Sequence, residues 1–230
     1  SAPAAPPSEE IDVLLEIAQT YERGLVVCGP LAPDAERSAA IAEFARLTGW
    51  PIFADPTSQL RRGPHVDTAP VLAHADLLLR DPRIAADWAP DVVVRLGDSP
   101  VSKSLRVALE SHPPKHLVLV DPDRVGHDPS HLASRVLVAD PGALCEAWAR
   151  AWRDAGWEAR VSEYTRQCLG DDGRAADALR AALADESELL EPRAVRELAE
   201  SLPPDATLYV SNSMPIRDLD AFLAGSNRPL

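Results

Sequence analysis

Cysteine is scarce in this chain: three residues in 230, Cys28, Cys145 and Cys168. They form no spaced motif, and an odd number argues against a disulfide framework, so a reducing cytoplasm is the expected compartment. Cys28 has no partner base beside it in the sequence and reads as a small hydrophobe, not a nucleophile. Basic residues are also few, with 23 Lys and Arg against 36 Asp and Glu and a net charge of −13. That balance opposes nonspecific nucleic-acid binding, and no nucleic-acid partner is expected. No apolar run approaches the ~20 residues of a membrane span. The start, Ser1-Ala2-Pro3-Ala4-Ala5-Pro6-Pro7, has neither an initiator Met nor basic residues ahead of an apolar run. Residues 1–8 therefore read as an interdomain linker or a cloning boundary.

Phosphate-binding and metal-binding signatures are missing too. The turn Cys28-Gly29-Pro30-Leu31-Ala32-Pro33 holds neither G-x-G-x-x-G nor G-x-x-x-x-G-K-[ST]. Prolines stand where a dinucleotide site needs glycines for close backbone approach, so a tight strand-to-helix turn is expected there. His127-Asp128-Pro129-Ser130-His131, beside Asp121 and Asp123, gathers possible metal donors. Pro129 breaks the helical face that paired histidines use, and no third ligand stands at a conventional spacing. A polar loop is expected, and no metal site. His112 and His116 flank Pro113-Pro114 and share no helical face either.

What is present is an α/β pattern. A 46% hydrophobic content supports a core, and 230 residues suit one large domain or a domain and a half. Ser8 is placed as the N-cap of a helix over Glu9–Glu22 carrying Ile11, Leu14, Leu15 and Ala18, with Gly24 ending it. Short apolar runs then read as buried strands: Leu25–Cys28, Pro51–Ala54, Val92–Leu96, His116–Val120 and Arg135–Ala139. Helices are expected from Pro33-Asp34 to Gly49, from Pro70 to about Trp88 with a break at Asp81-Pro82, and over Val101–Ser111. Residues 55–67 read as loop. The stretch 141–184 reads as wholly helical, anchored by Trp148, Trp152, Trp157 and Tyr164, with Asp171-Asp172-Gly173 at a helix junction. Strands separated by helices imply a doubly wound, mostly parallel sheet flanked by helices. Arg95 interrupts an apolar strand and needs a counter-charge if buried. Arg61-Arg62 read as surface or interdomain charges.

After the acidic break Asp185-Glu186-Ser187-Glu188 a new unit is expected: helix Pro192–Ser201, strand Thr207–Val210, then Ser211-Asn212-Ser213-Met214-Pro215-Ile216-Arg217-Asp218-Leu219-Asp220 opening a helix. Ligands of open α/β sheets gather where a strand hands over to a helix, because backbone N–H groups and the helix dipole point into that crevice. Pro215 suits the first helical turn, which puts Ser213 or Met214 at the cap. Arg217, one turn in, offers a bidentate fork for a carboxylate. The plainer alternative is that Ser213 only caps and Arg217 pairs with Asp218, Asp220 or Asp34 on a solvated surface.

This decapeptide closely resembles the N-S-M-P-[IV]-R-D-[LF]-[DE] signature of the 2-succinyl-5-enolpyruvyl-6-hydroxy-3-cyclohexene-1-carboxylate synthase family, thiamine-diphosphate enzymes of menaquinone biosynthesis. The stretches Gly24–Pro30, Gly49–Pro56, Arg95–Lys103 and Asp128–His131 are similar to the family as well, and the likeness covers about residues 22–225. The resemblance implies a Rossmann-like central domain over 9–184 and the beginning of the diphosphate-binding domain over 185–230. It implies a cytoplasmic homo-oligomer that decarboxylates 2-oxoglutarate on thiamine diphosphate with Mg²⁺ and adds the product to isochorismate. Ser213 and Arg217 would then bind substrate, and Asn212 and Met214 would lie near the cofactor. The family's pyrimidine-binding domain and its G-D-G…N segment for Mg²⁺ and diphosphate have no counterpart in this sequence. The expectation is a fragment, made by design or proteolysis, that binds no cofactor and does not turn over. The competing reading is a stand-alone nucleotide- or flavin-binding, or regulatory, Rossmann-like module.

Overall fold

Strand β1 (Gly24–Cys28) has no polar residue along its length, so it is stable only with both faces covered, and all five of its residues are buried. β4 (Val92–Leu96) and β5 (His116–Val120) repeat the pattern, each with one half-buried residue, Arg95 and His116. With β2 (Ile52–Ala54), β3 (Val71–Leu72) and β6 (Arg135–Leu137) they form a six-stranded sheet in the order β3-β2-β1-β4-β5-β6. Every neighbouring pair is parallel, with Val26 opposite Ile52 and Val94, and Val94 opposite Val118. The computed structural model describes residues 6–123, 127–185, 188, 190–203 and 206–228. The N-terminal tract up to residue 5, residues 186–187 of the acidic break and the last two residues are among those that lie outside them.

The pleat divides the core into two layers. Val26 and Cys28 of β1 point into one, with Val94 and Leu96 of β4 and Val118 and Val120 of β5. Leu25 and Val27 point into the other, with Val93, Leu117 and Leu119. The first layer is closed by α1 (Ser8–Thr20), α2 (Ala35–Thr48) and α6 (Pro141–Asp154). Asp34 accepts the Arg37 N–H to start α2, which ends at Gly49 in the left-handed region; Asp140 accepts the Ala143 N–H to start α6. Phe44 of α2 meets Trp148 of α6 edge-on at 4.5 Å, and Trp148 stacks on Trp152 at 4.8 Å. Trp157, read as an anchor, is instead 37% exposed and only leans edge-on against Trp152. The second layer is closed by α3 (Ala75–Leu78), α4 (Pro82–Asp87), α5 (Lys103–Ser111) and α7 (Glu163–Asp185).

Several elements differ from the sequence reading. Pro7, not Ser8, holds the cap position of α1, and Gly24 opens β1 four residues after the helix's last residue, Thr20. The helix expected over 70–88 is the edge strand β3 followed by two short helices, broken at Asp81-Pro82 as anticipated. β3 is too short to carry a period-2 pattern, and only its pairing with Ile52 and Phe53 makes it a strand. Residues 64–67, read as loop, make one 3₁₀ turn. Asp171-Asp172-Gly173 sits inside the continuous α7 rather than at a junction. Asp171 accepts from Trp88 Nε1 at 2.9 Å, and Asp172 accepts the His74 N–H at 2.7 Å, so tertiary partners hold the helix through its glycine.

The C-terminal part adds α8 (Glu191–Ser201) and α9 (Met214–Phe222), which bury Ala199, Leu219 and Leu223 in a small cluster of their own. The strand expected at Thr207–Val210 is not formed. Its residues are extended with period-2 burial, Leu208 and Val210 turned toward the cluster and Tyr209 93% exposed. Among the described residues no strand lies beside it, and a strand needs a neighbour to satisfy its backbone.

Candidate functional site

Helix α9 presents the residues singled out in the sequence. Pro215 lies in its first turn and Ser213 holds the cap position, with φ 74° and ψ −131°. That conformation ordinarily requires glycine. The Ser213 hydroxyl makes no capping hydrogen bond, so the first N–H groups of α9 are left without a side-chain acceptor. Asn212, Ser213, Met214 and Arg217 are all exposed. The structure brings them together at one helix end, on an open surface and not inside a cavity.

Of the three acidic groups offered as surface partners for Arg217, Asp34 and Asp220 are engaged elsewhere and Asp218 is buried. Asp34 caps α2 and lies 3.6 Å from Arg37. Asp220 is buried against Arg61 at 2.8 Å, and burial pushes its carboxyl up to about 6 against the pull of that guanidinium. Asp218 is buried with Oδ2 unpartnered, and burial with Glu191 nearby raises its carboxyl. Among the described residues Arg217 makes no hydrogen bond or ion pair, and its side chain is exposed.

A cavity of about 510 Å³ lies on the other side of α9, lined by Ile216, Leu219, Tyr209, Gln59 and Arg62 among others. It contains none of the four predicted site residues. Arg61, read only as a surface or interdomain charge, is 3% exposed and lies at the junction with α9. Its importance had no local signal in the sequence, because the partner is 159 residues away.

The sheet's own crevice, beyond the ends of β1 and β4, is a second cavity of about 500 Å³ lined by Pro30, Arg37, Arg95, Asp98, Asp121 and Asp140. This is where a doubly wound sheet of this order would hold a dinucleotide. The glycine after β1 serves another purpose here: a Cβ on Gly29 would stand 1.7 Å from the Asp98 carbonyl oxygen. The two turns touch backbone to backbone. Arg37 is tied to Asp140 at 3.2 Å, and Arg95 donates to the His127 carbonyl with Asp128, Asp98 and Asp121 around it. Those acids supply the counter-charge that Arg95 needs, and the acidic lining repels a diphosphate. The Asp128 loop is closed on itself through Ser130 and Ala133, and no group of three metal-ligating side chains occurs among the described residues. No helix among the described residues is long and apolar enough to cross a membrane.

An all-parallel sheet in this order, covered by helices on both faces, defines a Rossmann-like α/β domain. A family model described as the middle domain of thiamine pyrophosphate matches residues 11–210. The chain belongs to this family of thiamine pyrophosphate enzyme middle domains. Proteins named 2-succinyl-5-enolpyruvyl-6-hydroxy-3-cyclohexene-1-carboxylate synthase are its relatives. That of Geobacillus thermodenitrificans is 37% identical over 100% of this chain and 38% of its own length. The Chloroflexus aurantiacus protein is 34% identical over 96% of this chain and 37% of its own, and the Halorubrum lacusprofundi protein 37% identical over 89% and 35%. The chain thus spans less than two-fifths of the curated relatives it matches.

Proposed function

We propose that this chain is part of a cytoplasmic synthase that decarboxylates 2-oxoglutarate on thiamine diphosphate and adds the resulting unit to isochorismate. In this reading residues 9–184 form the central domain and 185–230 begin the diphosphate-binding domain, a division supported by the separate apolar cluster of α8 and α9. Ser213 and Arg217 bind a substrate carboxylate, and Asn212 and Met214 lie beside the cofactor. The observation that carries the reading is the free Arg217 guanidinium one turn from an uncapped helix start, while Asp34 and Asp220 are committed elsewhere. A cation and aligned N–H groups at one helix end suit a carboxylate, and both proposed substrates are polyanions.

Thiamine diphosphate would supply the electron sink for loss of carbon dioxide. No group of three His, Cys, Asp or Glu side chains that could hold a metal ion occurs among the described residues. The donors for Mg²⁺ and the diphosphate belong, in this reading, to parts of a homo-oligomeric enzyme outside this chain, which alone neither holds the cofactor nor turns over. What α9 contributes is orientation: Arg217 fixes one carboxylate, and the exposed N–H groups beside Ser213 receive charge at the positive end of the helix.

Arg217→Ala in the complete synthase is the test. Loss of a charge-assisted contact is worth about 1.5–3 kcal/mol, so kcat/KM for the carboxylate substrate falls by about 10–100-fold, with circular dichroism unchanged. Unaltered kinetics would remove Arg217 from the site. Synthase turnover by the 230-residue chain alone would overturn the division of labour.

A further inference from the structure

Arg61 follows β2 in the chain and is one of the few fully buried cations of the molecule, with 3% of its side chain exposed. Burying a guanidinium is costly unless all its hydrogens find acceptors. Here all five N–H groups do. Nε and one Nη2 hydrogen go to the Ala54 carbonyl at the end of β2, at 3.1 and 2.5 Å. The other Nη2 hydrogen goes to Asp220 Oδ1 at 2.8 Å. Nη1 donates to the Leu219 and Asp220 carbonyls at 2.9 and 2.8 Å. These two carbonyls belong to the last turn of α9, where a cation also meets the negative end of the helix dipole.

The chain on either side is sewn to the same place. The Gly63 N–H donates to the Ser226 carbonyl at 2.8 Å, the Ser226 N–H to the Arg61 carbonyl at 3.2 Å, and Asn227 Nδ2 to Asp67 at 3.0 Å. One end of α9 is thereby fixed to the sheet of the central domain, while its other end carries Ser213 and, one turn before Asp220, Arg217. A helix of nine residues is a short stiff lever, and its seat sets where its free end points.

We infer that Arg61 is a positioning residue: its complete set of hydrogen bonds to Ala54, Leu219 and Asp220 seats α9 on the end of β2 and so aims Arg217 at the substrate carboxylate. This rests on the carboxylate reading of Arg217 given above. Arg61 itself touches no substrate.

Arg61→Ala leaves Asp220 buried without a partner and threatens the fold itself. The test therefore uses Arg61→Lys, which keeps the charge but has three donors, and Asp220→Asn, which keeps the shape. Both are made in the complete synthase, with and without Arg217→Ala, and hydrogen exchange is followed in α9. Exchange at 219–223 should accelerate by about tenfold or more in both variants. Arg61→Lys should lower kcat/KM by about 10–100-fold, as expected for misplacement on the order of 1 Å. In the Arg217→Ala background the same change should cost less than about twofold, because a helix with nothing left to aim loses nothing more. Unchanged exchange in α9 would overturn the inference, and so would losses at Arg61 and Arg217 that simply multiply. A silent Arg217→Ala would overturn the carboxylate reading alone. Arg61 would then be judged by exchange, where protection equal to wild type rejects the clasp.

Discussion

Asp220 carries the clearest electrostatic consequence at the scale of single residues. Its carboxyl lies up at about 6, from an ordinary 3.8, because burial outweighs the attraction of Arg61 and because Asp76 and Asp55 are near. Between those two values the folded protein holds a proton that the unfolded chain has released, so this group's contribution to stability is complete below about pH 4 and declines as pH rises through 6. Asp220→Asn removes the titration. Denaturant unfolding of the two proteins at pH 4 and pH 7 should show wild type losing ground to the variant as pH rises, by up to about 3 kcal/mol. A gap that widens with pH would show that the Arg61 attraction dominates instead. Ser213 and Arg217 were legible earlier: the sequence already put the hydroxyl at the helix start and the guanidinium one turn on. It could not say that the hydroxyl would turn away from the cap, or that Asp34 and Asp220 would find other partners.

Among elements, the contact of the turns after β1 and β4 is the tightest backbone approach in the sheet's crevice. A methyl group on Gly29 collides with the Asp98 carbonyl, and Gly97 answers from the opposite turn with φ +80°. Gly29→Ala should destabilise by about 3 kcal/mol or more, since backbone rather than a pliable side chain must yield. In a chain of this size that is a Tm lower by roughly 6–12 °C. Gly173, midway along α7 with open space where a Cβ would stand, is the control: Gly173→Ala should raise Tm slightly. A silent Gly29→Ala would mean the two turns do not touch. The central strands β1, β4 and β5 were legible because burial on both faces makes them uniformly apolar over five residues. β3 and the 207–210 segment were not, because a two-residue edge is too short for any period, and an extended run becomes a strand only beside a partner.

At the scale of the whole molecule the core is unevenly distributed. The two layers against the sheet hold most buried side chains, while α8 and α9 share a cluster with three fully buried members. Local opening costs least where buried contacts are few. Native-state hydrogen exchange should therefore show α8 exchanging about 100-fold or more faster than β4, with the last turn of α9 between them because Arg61 holds it. Equal protection throughout would mean that both parts unfold as one unit.

The fold class and the order of the main elements were determined by the sequence alone, because burial on one face or two, helix caps and glycine stops act over a few residues and leave a local pattern. The candidate site was proposed from the sequence too, since a serine, a proline and an arginine at one helix start carry their chemistry in their spacing. The tertiary structure decided which charges are free and which are spent. Asp220 is claimed by an arginine 159 residues away and Asp172 by a backbone 98 residues away, and no local pattern encodes partners at that distance.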